Sequence, residues 1–392
     1  MEDCMDENIK KALHLAADRI HFSDDSKNKI CRKLQKEATK RAKIAVLFGG
    51  CSPEYSVSLQ SAHAVITNMD RDLYEPVMIG ITKEGNWYRY YGDPDRIAAD
   101  TWEEDHQVLS KVLLSPDRND HGIIELITTN YVKDYVKTSL DAVFPVLHGK
   151  NGEDGTVQGL TELAGIPLVG CGTLASAVCM DKARSHRLAL EAGISVPRGF
   201  VLSANEQLKY YHEQLKELSF PLFVKPARAG SSFGISRIMS EEELAAAVRA
   251  AGKYDSEIVI EEAISGSEVG CAVMGDRELI IGEVDEIELS GGFFDYTEKY
   301  TLKTSKIHVP ARVSVEKAVE IKKTAGIIYR ALGCSGFARV DMFLTSDGKI
   351  IFNEVNTIPG FTPHSRFPGM MKAAGWSFSE IVNTLIRSAV NR

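Results

Sequence analysis

The sequence predicts an α/β protein of several domains, turning to an α+β arrangement in its later, strand-rich part, on three observations. A short apolar run ended by two glycines, KIAVLFGG (43–50), leads into a helix-like stretch, SVSLQSAHAVITNM (56–69). That is the pattern of a buried parallel strand feeding a loop and helix. Similar runs recur at EPVMIGIT (75–82) and LDAVFPVLHG (140–149), and such alternation marks an open sheet with ligands at its strand carboxyl ends. From about Glu257 onward, strand-like segments dominate until a helix at 314–332. At 392 residues the chain exceeds one compact core, so two or three domains are expected.

Taken in order, residues 1–42 stand apart as a helical extension of unknown role. Leu13, Ala16, Ala17 and Ile20 recur at helical spacing, Ser23 and Asp24 make a break, and Lys27–Lys43 is basic. Segment 43–170 is the first α/β unit. A second unit, 171–256, holds a helix MDKARSHRLALEAG stopped at Gly193, a strand beginning in ISVPRGFVL, and the strand–loop–strand FPLFVKPARAGSSFGISRI. It closes with the amphipathic helix EEELAAAVRAA. The last unit, 257–392, opens on EIVIEEAI and ends with the hairpin RVDMFLTSDGKIIFNEVN and a helix from about 377.

Composition narrows the function classes. The net charge of -8 disfavours general binding to nucleic acid or anionic membranes. The seven cysteines are scattered without a C-x-x-C pair, which suits reduced thiols rather than a disulfide frame or zinc site. No stretch is apolar enough to span a membrane, and the acidic start MEDCMDENIKK is no secretory signal. A cytoplasmic location is expected.

The hairpin is the most informative segment. With Asp347-Gly348 as a two-residue turn, Ser346 faces Lys349, Asp341 faces Glu354 and Arg339 faces Asn356. Residues two apart share a strand face, so all four side chains project from one side. Two carboxylates and an amide oxygen make a hard oxygen set suited to magnesium. An adjacent Arg can stabilise charge on a transferring phosphoryl group or an oxyanion. The bland alternative is a solvated strand face, against which stands the poor strand propensity of these residues.

Three further segments add candidates. Lys225 ends an apolar strand before Gly230-Ser231-Ser232, suiting a loop whose backbone N–H groups close over phosphates. It is not a Walker loop, because the Lys precedes the glycines. A plain hairpin turn is the alternative there. Lys182 could be a second phosphate cation or merely solvated. In IVIEEAISGSEVG, the strand edge at Glu261 can offer backbone groups to a purine, and Glu268 can take ribose hydroxyls. In GGCSPEYSVSL, Glu54 could hold a substrate ammonium group. His148 would lie nearby, as a substrate-side group or equally as a structural histidine.

Together GGCSPEYSVSLQS, FPVLHGKNGEDGTVQG, MDKARSH, FVKPARAGSSFGIS, GFFDYTEKY, GFARVDMF and FNEVNTIPGFTPHSRFP resemble the D-alanine–D-alanine ligase family of ATP-grasp enzymes, in order from about 43 to 392. EIELSGGFFDYTEKYTLKTSKI and IPGFTPHSRFP are most similar to the vancomycin-resistance ligases of the G type, which make D-alanyl-D-serine.

The resemblance implies a three-domain ATP-grasp ligase: 43–170 a substrate domain, 171–256 the central ATP-grasp part, and 257–392 the part with metal site and acceptor pocket. Lys182 and Lys225 would bind ATP phosphates under Ser231 and Ser232. Glu261, Ile264 and Glu268 would line the adenosine pocket. Asp341, Glu354 and Asn356 would hold two magnesium ions, or manganese in their place. Arg339 and the Gly360 N–H would stabilise the tetrahedral intermediate. Glu54 would bind the first D-alanine, linked through Ser231 to Tyr300, with His148 near the substrates. Lys299-Tyr300 resembles the relatives that use an amine acceptor, and Lys299 would also face ATP. Phe337, Ser365 and Arg366 would form an acceptor pocket of the D-serine-using type. A homodimer is implied only by the resemblance.

Two departures stand out. Ser56 replaces the acid of the family's E-x-[ED]-V-S pattern, and 1–42 has no family counterpart. The expected activity is ligation of D-alanine to D-serine for peptidoglycan precursors, with D-alanine as the rival acceptor. A catalytically silent ATP-binding sensor is the alternative from another class, and the intact set of Lys182, Lys225, Arg339, Asp341, Glu354 and Asn356 argues against it.

Overall fold

The computed structural model describes residues 41–128, 133–230, 233–289 and 305–392. The expected extension therefore lies outside the described residues, except for Arg41 and Ala42.

The opening apolar run forms strand β1 (Ala42–Gly49), followed by helix α1 (Tyr55–Asn68). Next come β2 (Tyr74–Ile81), β3 (Trp87–Tyr90), β4 (Leu109–Leu114), β5 (Gly122–Thr128), β6 (Lys133–Ser139) and β7 (Ala142–Pro145). They make one seven-stranded sheet in the order β6-β5-β4-β3-β2-β1-β7. Only β2, β1 and β7 run parallel, and these are the three strands that the apolar runs predict. Both faces of β1 are covered: Ile44, Val46 and Phe48 pack with α1, while Ala45 and Leu47 join a core on the other side. The antiparallel meander β3–β6 is not legible as apolar runs. Lys111, Leu126, Tyr135 and Lys137 on it are exposed, and a half-solvated sheet mixes apolar with charged residues.

Helices α2 (Thr156–Ala164), α3 (Thr173–Met180) and α4 (Lys182–Glu191) follow. The expected single helix over 180–193 is in fact broken at Asp181, which takes an extended conformation between α3 and α4. Its side chain accepts a bond from the Arg184 N–H at 3.0 Å and caps α4. Gly193 ends the segment at φ +80°, as its position after the helix requires. A second sheet holds β8 (Gly199–Ser203), β9 (Leu222–Pro226), β10 (Ser236–Ile238) and β11 (Glu257–Glu262), in the order β10-β9-β11-β8. Helix α5 (Leu244–Ala251) buries Leu244, Ala247, Val248 and Ala251 against one face of it.

The third sheet contains β12 (Gly266–Gly275), β13 (Leu279–Leu289) and β14 (Ser305–His308). Helix α6 (Val315–Ala331), capped by Ser314, then leads to β15 (Phe337–Thr345) and β16 (Ile350–Asn356). The order is β14-β13-β12-β15-β16. The chain ends in α7 (Arg366–Ala373), which its short apolar content does not announce, and α8 (Phe378–Val390), opened by a Ser377–Glu380 capping box. Helix α8 buries Ile381, Val382, Leu385, Ile386 and Ala389 as one helical stripe. That stripe shares a core with Ile44, Val46 and Phe48, so the C-terminus packs back onto the first sheet.

Candidate active site

The hairpin β15–β16 carries the candidate metal-side residues, and its register holds a correction. The turn is not the two residues Asp347-Gly348. Thr345 N–H donates to Lys349 O at 3.0 Å, so the loop is Ser346–Gly348, with Gly348 at φ +83°. Leu344 then pairs with Ile350, one residue off the expected count. A register shift between Asp341 and Met342, which skips Asn353, restores the offset. Beyond it Asp341 pairs with Glu354 and Arg339 with Asn356, as the sequence predicts.

Asp341 is the hub. Arg339 Nε lies 2.9 and 3.0 Å from its two oxygens and Arg339 Nη2 lies 2.7 Å from Oδ2. Asn356 Nδ2 donates to Oδ2 at 2.9 Å, and Arg366 Nη1 is 3.3 Å from Oδ1. Burial opposes the Arg339 charge, but the charge and hydrogen bonds of Asp341, together with Asp285, leave the guanidinium pKa above its ordinary value. Arg366 behaves alike, with Asp285 and Asp341 pushing it well above that value against burial.

Gly270 makes this crowding possible. It pairs with Asp285 on one side and Asp341 on the other, and a Cβ there would sit 2.4 Å from Arg366 Nη2. Arg366 donates to Asp285 at 2.7 and 2.8 Å and to Glu268 at 3.2 Å. Glu268 is thus drawn toward the Asp341 side of the cleft. Burial lifts its pKa to about 7, with Asp341 and Glu354 adding to the rise and Arg366 opposing it.

The donor chemistry fits a magnesium–nucleotide complex. Among the described residues no group of three or more His, Cys, Asp or Glu could hold an ion. Two carboxylates and an amide are the share that magnesium takes from a protein when phosphates and water supply the rest. A narrow cleft is lined by Glu54, Glu153, Lys182, Gly230, Glu354 and Asn356, bringing together residues from all three sheets' surroundings. Lys182, first in α4, donates from Nζ to Ala229 O at 2.9 Å, beside the glycine loop. Lys225 on β9 pairs with Glu261 on β11 at 2.5 Å. The second Glu261 oxygen, Oε2, is buried without a hydrogen bond among the described residues, an acceptor suited to a donor such as a purine amino group. Ile264 lies half-buried in the link from β11 to β12. Ser231, Ser232, Lys299 and Tyr300 lie outside the described residues.

At the expected substrate side, Glu54 precedes α1 and is buried, and a Cβ at Gly149 would sit 2.6 Å from its Oε2. His148 is held at both ring nitrogens: Nδ1 is 2.8 Å from Ile358 O and Nε2 is 3.1 Å from Ser61 Oγ. Ser365 Oγ accepts from Thr362 N–H at 3.0 Å, and a Cβ at Gly360 would lie 3.1 Å from it. Phe337 is a correction. It does not line an acceptor pocket: it is fully buried among the rings of Phe144, Phe361 and Phe367 at 5.4–6.0 Å. A ring enclosed by other rings has no surface to offer a substrate.

Asp285, Glu153, Ser61 and Gly270 escape the sequence reading. Glu153 stands inside the HGKNGEDG stretch, whereas Asp285 is one of four acids in its strand, with Glu283, Glu286 and Glu288, and only the fold shows it to be the one fully buried.

Comparison with known proteins agrees with this geometry. The D-ala D-ala ligase N-terminus family matches residues 43–171, and the D-ala D-ala ligase C-terminus family matches residues 188–387. The vancomycin B-type resistance protein VanB of Enterococcus faecalis is 46% identical over 90% of this chain and 99% of its own. A D-alanine–D-alanine ligase of Caldicellulosiruptor bescii is 45% identical over 90% of this chain and 96% of its own. The crystal structure of VanG D-Ala:D-Ser ligase from Enterococcus faecalis aligns with a TM-score of 0.81 and 54% identity, covering 89% of this chain and 100% of that one. With its two halves matched in order and its α/β sheets arranged as in those enzymes, the chain belongs to the D-alanine–D-alanine ligase family, a family of ATP-dependent ligases.

Proposed function

We propose that the chain joins D-alanine to D-serine, with D-alanine as the rival acceptor. A carboxylate is a poor acyl donor, so the γ-phosphoryl group of ATP passes to the D-alanine carboxylate, giving ADP and an acyl phosphate. The second amino acid's amine attacks the acyl carbon, loses a proton, and inorganic phosphate leaves. Glu54 holds the first ammonium group. Lys182 and Lys225 hold phosphates, Glu261 and Ile264 border the adenine, and Glu268 takes the ribose edge. Asp341, Glu354 and Asn356 would hold magnesium, which when bound would neutralise phosphate charge. Arg339 and the Gly360 N–H stabilise the oxyanion by fixed charge and dipole.

The observation that carries the D-serine reading is the 54% identity to the VanG D-Ala:D-Ser ligase along that protein's whole length. Ser365, whose Oγ lies beside Gly360, and Arg366, next to it in the chain, are the acceptor-side groups that would meet a hydroxyl. A site that hydrogen-bonds a hydroxyl rejects the analogue lacking it far better than an apolar pocket can. The 45% identity to the Caldicellulosiruptor bescii enzyme keeps D-alanyl-D-alanine as the second reading. We further propose that the enzyme acts in the cytoplasm as a homodimer. No described helix is long and apolar enough to cross a membrane.

The test is a product assay with ATP, magnesium, D-alanine and equal D-serine near neutral pH. Mostly D-alanyl-D-serine supports the proposal. Mostly D-alanyl-D-alanine replaces it with the second reading, and no dipeptide revives a silent ATP-binding role.

A further inference from the structure

A set of buried hydrogen bonds joins the first sheet to the segment leaving β16, and no step above uses it. Ser61 lies on α1, and His148 and Glu153 lie in the loop after β7. His148 Nδ1 sits 2.8 Å from Ile358 O, so Nδ1–H donates and Nε2 is left as an acceptor. The Ser61 hydroxyl, 3.1 Å from Nε2, then donates to it. Ser61 Oγ in turn accepts from the Phe361 N–H at 3.1 Å. Glu153 completes the frame, with Oε1 accepting from Ile358 N–H at 3.2 Å and Oε2 from Gly149 N–H at 2.8 Å. The Ile358 amide, the Ile358 carbonyl and the Phe361 amide are therefore all tied to the first sheet's side. Pro359 and Gly360 lie between them.

We infer that Ser61 and Glu153, acting with His148, are positioning residues that aim the Gly360 N–H at the developing oxyanion. The inference rests on the proposed role of Gly360. A backbone donor stabilises a transition state only when held in place beforehand, within about half an ångström. Gly360 sits on an irregular segment without a strand ladder to hold it. The bonds to either side of it supply that rigidity, and they come from the part of the molecule that also holds Glu54. Donor and first amino acid are thereby located in one frame. His148 is accounted for as a brace rather than a group that touches substrate.

Ser61→Ala, Ser61→Thr and Glu153→Gln in the full-length enzyme test this. The readouts are kcat, KM for ATP, the urea midpoint, and inhibition by a phosphinate dipeptide with ATP, whose tetrahedral phosphorus mimics the intermediate. Ser61→Ala and Glu153→Gln are expected to lower kcat about 10- to 100-fold, with KM for ATP within about twofold. Phosphinate affinity falls by a similar factor, and Ser61→Thr, which keeps the hydroxyl, recovers kcat. Unchanged kcat in either folded variant overturns the inference. So does a lower urea midpoint with phosphinate affinity intact, since the bonds would then serve stability alone. If Ser61→Ala does not fold, Glu153→Gln decides by the same criteria. Wild-type dipeptide synthesis, measured alongside, checks the parent reading separately: its absence removes the role of Gly360 and the brace with it.

Discussion

Arg366 and Asp285, 81 positions apart, form a bidentate pair with Nε–Oδ2 at 2.7 Å and Nη2–Oδ1 at 2.8 Å. Both side chains are buried, Asp285 completely. The pair closes over Gly270 and abuts Asp341, so the proposed acceptor-side residue Arg366 and the proposed metal ligand Asp341 share one charge network.

Breaking such a pair from one side strands the other charge. Asp285→Asn and Arg366→Gln are each expected to cost about 3–5 kcal/mol. The double variant should cost less than the sum, by about 0.5–3 kcal/mol of coupling. Urea unfolding of the four proteins measures this cycle, and strict additivity would show the two charges to be independent.

Gly270→Ala probes the space beneath the guanidinium. The added methyl would meet Arg366 Nη2 at 2.4 Å, Asp285 Oδ1 at 2.7 Å and Asp341 Oδ1 at 2.9 Å. Overpacking of about 1–3 kcal/mol is expected, with loss of dipeptide synthesis as Asp341 is displaced. Thermal melting and turnover check it, and wild-type values in both would mean that the network yields freely.

Phe337→Ala removes a ring from a closed aromatic cluster and should cost about 3–5 kcal/mol. The ratio of D-serine to D-alanine in the product is expected to stay as in wild type in Phe337→Leu, which keeps most of the volume. A changed ratio in that folded variant would restore Phe337 to the acceptor pocket.

His186 predicts a pH dependence. Burial, helped by Lys225 and Lys182 and opposed by Glu261, holds its pKa below the ordinary 6.5. As pH falls below 6.5, the unfolded chain takes a proton that the folded one refuses, so stability is lost toward acid. The slope attributable to one such group is at most about 1.4 kcal/mol per pH unit. Urea midpoints between pH 7 and 5 should fall less steeply for His186→Gln than for wild type. Equal slopes would show that His186 takes its proton in both states.

How much of this was legible in the sequence depends on the distance over which each feature is decided. The parallel strands β1, β2 and β7 and the helices α1 and α8 follow from apolar periodicity, because burial acts on each segment's own residues. The common face of Arg339, Asp341, Glu354 and Asn356 follows from the two-residue pleat and the pairing of a short hairpin. That placement survived a wrong turn because the skipped Asn353 offset the longer loop. The meander β3–β6 stayed hidden because a half-solvated sheet carries mixed polarity.

The sequence by itself determined the α/β class, the common face of Arg339, Asp341, Glu354 and Asn356 on the hairpin and, through its motifs, the ligase family. Only the tertiary structure decided that Phe337 is enclosed by Phe144, Phe361 and Phe367, that Arg366 is held by Asp285, and that Ser61 and Glu153 brace the loop bearing Gly360. Local propensity and pairing are written in neighbouring residues. Contacts between residues 81, 205 or 300 positions apart arise only when separate sheets pack, and that packing sets which buried charges and amides must satisfy one another.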